Sequence, residues 1–148
     1  MPQYIPGRRQ PTGGSHARAR RFGYYARVAS LLIVDDDPSV LEPLSRYLAE
    51  SGFHVASSRV FDEAKQHIAA VRPDIVITDV RLGAFNGLQL AMLARDVRPE
   101  AQVIVISGFD DPVLKDEARR IGATYLVKPV GGRALVEALR ANAATQQR

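Results

Sequence analysis

The stretch Leu31-Leu32-Ile33-Val34-Asp35-Asp36-Asp37-Pro38 decides the reading of this chain. Four branched, apolar residues with no alternation indicate a short strand covered on both faces, as in a parallel sheet. Three carboxylates follow at its end. Pro38 suits the first turn of a helix, and Asp37 before it is a good N-cap. Capping accounts for Asp37 but not for Asp35 and Asp36. Adjacent carboxylates repel one another and call for a cation or a proton.

The same pattern recurs downstream. Asp74-Ile75-Val76-Ile77-Thr78 runs into Asp79, Gln102-Val103-Ile104-Val105-Ile106 into Ser107, and Thr124-Tyr125-Leu126-Val127 into Lys128-Pro129. A further strand is expected over residues 53–57. Helical periodicity fills the gaps: Val40, Leu41, Leu44, Tyr47 and Leu48 after the first strand, and Phe61, Ala64, Ile68 and Val71 after the second. Leu88, Leu90, Ala91, Leu93 and Ala94 follow a glycine-containing loop. Two further helices are expected over 112–121, stopped by Gly122 as a C′ residue, and over 132–143. Pro43 inside the first helix removes a hydrogen bond, so the helix start is expected to slip by a residue or two. The sum is (βα)₅, a doubly wound α/β fold whose right-handed crossovers put helices on both sides of the sheet. The carboxylates, the hydroxyl and the ammonium then share the carboxyl edge, where open α/β sheets bind ligands.

The net charge of +4 is unevenly spread. Residues 1–28 hold six arginines, four glycines, three prolines and no acid, while the remainder has 14 Lys and Arg against 16 Asp and Glu. Residues 1–28 therefore read as a disordered basic extension, and residues 29–148 as the folded domain. The extension is either without function of its own or an arm for nucleic acid or anionic lipid; no nucleic-acid role is expected of the domain. The absence of cysteine removes thiolate chemistry and cysteine-ligated zinc and suits a reducing cytoplasm. No apolar run reaches a membrane span, and no apolar h-region opens the chain.

Asp35, Asp36 and Asp79 make an all-oxygen donor set suited to Mg²⁺, and His16, His54 and His67 lie elsewhere, against zinc. A carboxylate beside such a cation can attack phosphorus. The negative charge of a phosphoryl group then needs balance, which Ser107 and Lys128 can supply.

Val34-Asp35-Asp36-Asp37-Pro38, Thr78-Asp79-Val80-Arg81-Leu82 with Asn86-Gly87-Leu88, Val105-Ile106-Ser107-Gly108 and Tyr125-Leu126-Val127-Lys128-Pro129 resemble the receiver domain of bacterial two-component response regulators. The likeness spans roughly residues 30–145, with 43 residues from Asp36 to Asp79, 28 to Ser107 and 21 to Lys128. It implies a flavodoxin-like sheet in the order 2-1-3-4-5. It also implies Asp79 as phosphoacceptor, Mg²⁺ held by Asp35, Asp36, Asp79 and the Arg81 carbonyl, and Ser107 and Lys128 on the phosphoryl group. Tyr125 matches the switch aromatic, and Lys128-Pro129 a position that is often cis. The implied partners are a histidine kinase or histidine phosphotransfer protein and a downstream protein target, with a dimer face on the fourth helix, fifth strand and last helix. Such a domain catalyses its own phosphorylation and dephosphorylation and is not a conventional turnover enzyme. Arg81 and Phe109, two residues past Asp79 and Ser107, flank the path of attacking water and are expected to tune the phosphoryl lifetime.

One departure stands out: Leu82-Gly83 replaces the family's usual Met-Pro, so a looser loop is expected there. Two rival readings remain. One is a receiver-like scaffold that is never phosphorylated. The other is a phosphatase resembling the haloacid dehalogenase superfamily, with Asp35 as nucleophile and Asp37 as acid; it leaves Asp79 without a task and lacks an acidic pair after Lys128.

Overall fold

The computed structural model describes residues 28–146. The basic extension expected over residues 1–28 lies outside them, apart from Val28. Five strands form one parallel sheet: β1 (Ser30–Val34), β2 (His54–Ser58), β3 (Ile75–Asp79), β6 (Gln102–Ser107) and β7 (Thr124–Val127). Their spatial order is β2-β1-β3-β6-β7. Counted among the sheet's own strands this is the expected 2-1-3-4-5. The remaining two strands, β4 (Arg81–Leu82) and β5 (Phe85–Asn86), pair with each other in a small antiparallel hairpin.

Alternation along the strands divides the core into two layers. Leu31, Ile33, Ile75, Ile77, Ile104 and Ile106 point to one face. There they meet α1 (Pro38–Glu50) and α5 (Gly132–Gln146) through Leu41, Leu44, Leu48, Leu135, Val136 and Leu139. Leu32, Val34, Val76, Val103 and Val105 point to the other, under α2 (Phe61–Val71), α3 (Leu88–Val97) and α4 (Pro112–Ile121). Each fully buried Leu or Ile contributes about 2 kcal/mol, so both layers are needed. The central strands are buried on both faces as expected, whereas β2 and β7, at the sheet edges, are half-exposed along most of their length.

Local chemistry sets the helix ends. Asp37 caps α1, accepting the Ser39 N–H at 2.9 Å, and Asp111 caps α4 through Val113 and Leu114. Gly122 ends α4 in the left-handed region, φ 84°, as expected. The expected slip at Pro43 does not occur: α1 starts at Pro38 with Pro43 inside it. The carbonyl that loses its partner belongs to Ser39, four residues back on an exposed first turn, where water can satisfy it.

Among the described residues, no helix is long and apolar enough to cross a membrane.

Candidate functional site

Chain direction reverses between β1 and β3: the crossover from β1 leads outward to β2, and the chain then returns to the other side of β1. Such a switch point opens a crevice at the carboxyl edge of the sheet. The acidic residues at the ends of β1 and β3 line it. Asp35 and Asp79 are buried and Asp36 is exposed, and one carboxylate oxygen from each lies within 4.8 Å of the others.

Backbone contacts hold each group. The Asp35 N–H donates to the Ser58 carbonyl at the end of β2 at 3.2 Å, and the Val80 N–H to the Ile106 carbonyl at 2.9 Å. The Asp35 Oδ1 accepts the Asp37 N–H at 2.9 Å. The Lys128 Nζ donates to Asp79 Oδ2 at 2.8 Å and lies 3.7 Å from Asp35 Oδ2. Its backbone N–H donates to the Ser107 carbonyl at 2.7 Å, tying the ends of β6 and β7 together. The Lys128–Pro129 peptide is cis.

The electrostatics are those of an under-neutralised acidic cluster. Burial pushes the Asp35 carboxyl above the ordinary aspartate range; the Asp79 and Asp36 charges add to the rise, and the Asp37 N–H and Lys128 do not cancel it. Hydrogen bonds from the Ser39 hydroxyl and N–H hold Asp37 below that range, as its capping of α1 requires. Burial alone would lower Lys128, but its hydrogen bond and ion pair with Asp79, with Asp35 behind, raise it. One ammonium facing three carboxylates leaves an excess of negative charge. An oxygen-only donor set with that excess fits a hard divalent cation.

The Ser107 hydroxyl, 4% exposed for the residue as a whole, accepts the Phe109 N–H at 3.1 Å. The Tyr125 hydroxyl donates to the Phe109 carbonyl at 2.6 Å. Phe109 therefore links Ser107 and Tyr125 through its own N–H and C=O. Its ring is exposed and carries the Arg81 guanidinium 5.4 Å from the centroid. A Cβ at Gly108 would meet nothing within 4 Å, so the space beside Ser107 is open.

The structure thus brings Asp35, Asp36, Asp79, Ser107 and Lys128 to one edge, with Tyr125 and Arg81 at its margin. Three features escaped the sequence reading. The connection expected to be loose is the β4–β5 hairpin, with Leu82 buried and the Phe85 ring stacked on Phe61. The Gly83 N–H lies 3.4 Å from Asp36 Oδ2, and the Arg81 N–H 3.4 Å from Asp79 Oδ1. Gly87 packs directly against the carbonyl of Asp79.

A model of the response regulator receiver domain matches residues 31–140. The chain belongs to that family. As a receiver domain it is a component of two-component signalling. It is 34% identical over 113 residues to the photosynthetic apparatus regulatory protein RegA of Rhodobacter capsulatus, with 76% of this chain and 61% of that protein covered. It is 35% identical over 117 residues to the transcriptional regulatory protein AruR of Pseudomonas aeruginosa, with 75% and 48% covered. The chain therefore spans less than two thirds of either relative. Among solved structures, it is similar to a CheY-like receiver domain from Methanospirillum hungatei, with TM-score 0.76 and 25% identity over 82% of this chain and 98% of that one. A response regulator from Burkholderia pseudomallei bearing a phosphorylated aspartic acid and a calcium ion gives TM-score 0.72 at 29% identity, covering 80% of this chain and 71% of that one.

Proposed function

We propose that Asp79 accepts a phosphoryl group from a phosphohistidine donor and that the adduct switches a protein-binding face of the domain. The observation that carries this reading is the convergence on one buried carboxylate, Asp79, of the Lys128 ammonium and two further acids at the sheet's switch point. The Burkholderia pseudomallei regulator, whose structure contains a phosphorylated aspartic acid and a calcium ion, supports it.

An Asp79 oxygen attacks phosphorus, the P–N bond to the donor imidazole breaks, and that nitrogen keeps the electron pair and takes a proton from solvent. Asp35, Asp36, Asp79 and the Arg81 carbonyl would hold Mg²⁺, which when bound neutralises charge on the phosphoryl oxygens. Lys128, already on Asp79, supplies a fixed positive charge that needs no reorganisation. The Ser107 hydroxyl moves to donate to a phosphoryl oxygen, and that displacement carries its oxygen away from the Phe109 N–H it now accepts. That change reaches Tyr125 through the Phe109 carbonyl and biases the face made by α4, β7 and α5. Val113 and Val127 are exposed on it, and it offers a contact for a downstream protein or a second copy. The donor is a histidine kinase or a histidine phosphotransfer protein, and the exchange takes place in the cytoplasm. Water later attacks phosphorus and breaks the P–O bond, returning the carboxylate and inorganic phosphate.

The test is incubation with acetyl phosphate and Mg²⁺, followed by intact-mass measurement. One phosphoryl adduct is expected, and a chelator should prevent it. No adduct with Mg²⁺ present would leave the unphosphorylated scaffold as the reading.

The Arg81 guanidinium lies 5.4 Å from the Phe109 ring centroid, and our reading gives this pair the task of shielding the adduct from water. Such an exposed pair is worth roughly 0.5–1 kcal/mol, so Phe109→Ala is expected to shorten the phosphoryl half-life about threefold. The decay of adduct mass after removal of acetyl phosphate measures this. An unchanged half-life would assign the pair no part in protecting the adduct.

A further inference from the structure

We propose that Phe85 is a positioning residue for the Mg²⁺ and phosphoacceptor loop, acting through its stack on Phe61; the proposal rests on the Asp79 reading above. The β4–β5 hairpin has only two residue pairs, Arg81 with Asn86 and Leu82 with Phe85. A hairpin that small does not hold itself together. Its turn contains Gly83 at φ 60°, a residue that lends the backbone no stiffness of its own. Yet this hairpin presents the Gly83 N–H to Asp36 and the Arg81 N–H to Asp79, so its position bears on the relation between two of the acids.

The Phe85 ring lies parallel to that of Phe61, with centroids 4.6 Å apart and planes 10° apart. Phe61 is the first residue of α2 and is buried in the same cluster as Val80, Leu82 and Leu88. Phe85 itself is 49% exposed, so one side of it is spent on Phe61 and much of the rest meets solvent. Core formation does not require a ring there. What the ring does is tie the hairpin to the start of α2, supplying the order that a proline in place of Gly83 would have given. Donors held in place before the cation arrives bind it more tightly than donors that must first be gathered.

Loss of an aromatic stack converts to a change of about threefold to tenfold. Phe85→Ala is therefore expected to weaken Mg²⁺ binding to the unphosphorylated protein by that factor, read by calorimetric titration with MgCl₂. Its melting temperature without divalent cation should stay within a few degrees of wild type, because the ring is half-exposed. Phe85→Tyr keeps the stack and should bind Mg²⁺ as wild type does; Phe85→Leu keeps apolar bulk without a flat face and should resemble Phe85→Ala. A lower melting temperature with unchanged Mg²⁺ affinity would make Phe85 merely structural and overturn the proposal. Wild type that forms the acetyl phosphate adduct while Phe85→Ala binds Mg²⁺ equally well overturns this inference alone. Wild type that neither binds Mg²⁺ nor forms the adduct removes the Asp79 reading and this proposal with it.

Discussion

Asp79→Asn is expected to abolish the phosphoryl adduct under conditions that phosphorylate the wild-type chain fully. The substitution keeps the shape of the side chain and removes its nucleophilic charge. An amide does not displace a donor imidazole from phosphorus, whereas a carboxylate paired with Lys128 can. The fold should survive, because Asp79 ends β3 through backbone pairing with β6 and not through its side chain. Asp35→Asn provides the contrast. It removes one negative charge from the proposed Mg²⁺ site but leaves the proposed acceptor, so the adduct should form slowly and still form. Intact mass and circular dichroism on the three proteins check both statements. An adduct of wild-type yield on Asp79→Asn would mean that another residue is the acceptor.

Gly87→Ala should be the most damaging small substitution near the site. Gly87 has φ −62° and ψ −18°, ordinary helical values, at the start of α3. On conformational grounds alone alanine there would stabilise the chain by about 0.4–1 kcal/mol. Space reverses the sign. A Cβ would lie 1.9 Å from the Asp79 carbonyl oxygen and 2.9 Å from both its carbonyl carbon and the Thr78 hydroxyl. The Thr78 hydroxyl already donates to that same Asp79 carbonyl at 2.9 Å, so the strand end has little freedom to retreat. Overpacking of this kind costs about 3 kcal/mol, or about 10 °C in melting temperature for a domain of this size. The strand end that must move carries Asp79, the proposed acceptor, and a shift of about 1 Å can cost about a hundredfold in rate. Thermal melts and the rate of adduct formation from acetyl phosphate read the two effects. A melting temperature equal to or above that of wild type would contradict the packing argument.

The sheet and most of the site were legible because both are written locally. Runs such as Leu31–Val34 and Ile75–Ile77 have no polar face to show to water, and the polar residues that follow each run stand at the sheet edge by construction. Asp35, Asp36, Asp79, Ser107 and Lys128 could be placed from strand ends alone. What could not be read depends on residues far apart in the chain. The β4–β5 hairpin needs Phe61, on α2, to hold Phe85. The need for glycine at 87 arises from the carbonyl of Asp79, not from any backbone angle that a sequence pattern would betray. Lys128 could be placed at the edge, but its reach to Asp35 as well as Asp79 required the register of β7 against β6. At Pro43 the lost hydrogen bond falls on an exposed first turn, where it does not displace the helix start.

Whether Asp79 carries the phosphoryl group is decided by chemical mapping of the adduct. The acetyl phosphate product would be reduced with borohydride, which converts an aspartyl phosphate to homoserine, then digested and sequenced by mass spectrometry. Homoserine is expected at position 79 and nowhere else. Homoserine at 35 would contradict it and make the first strand's aspartate the nucleophile, as in the phosphatase reading.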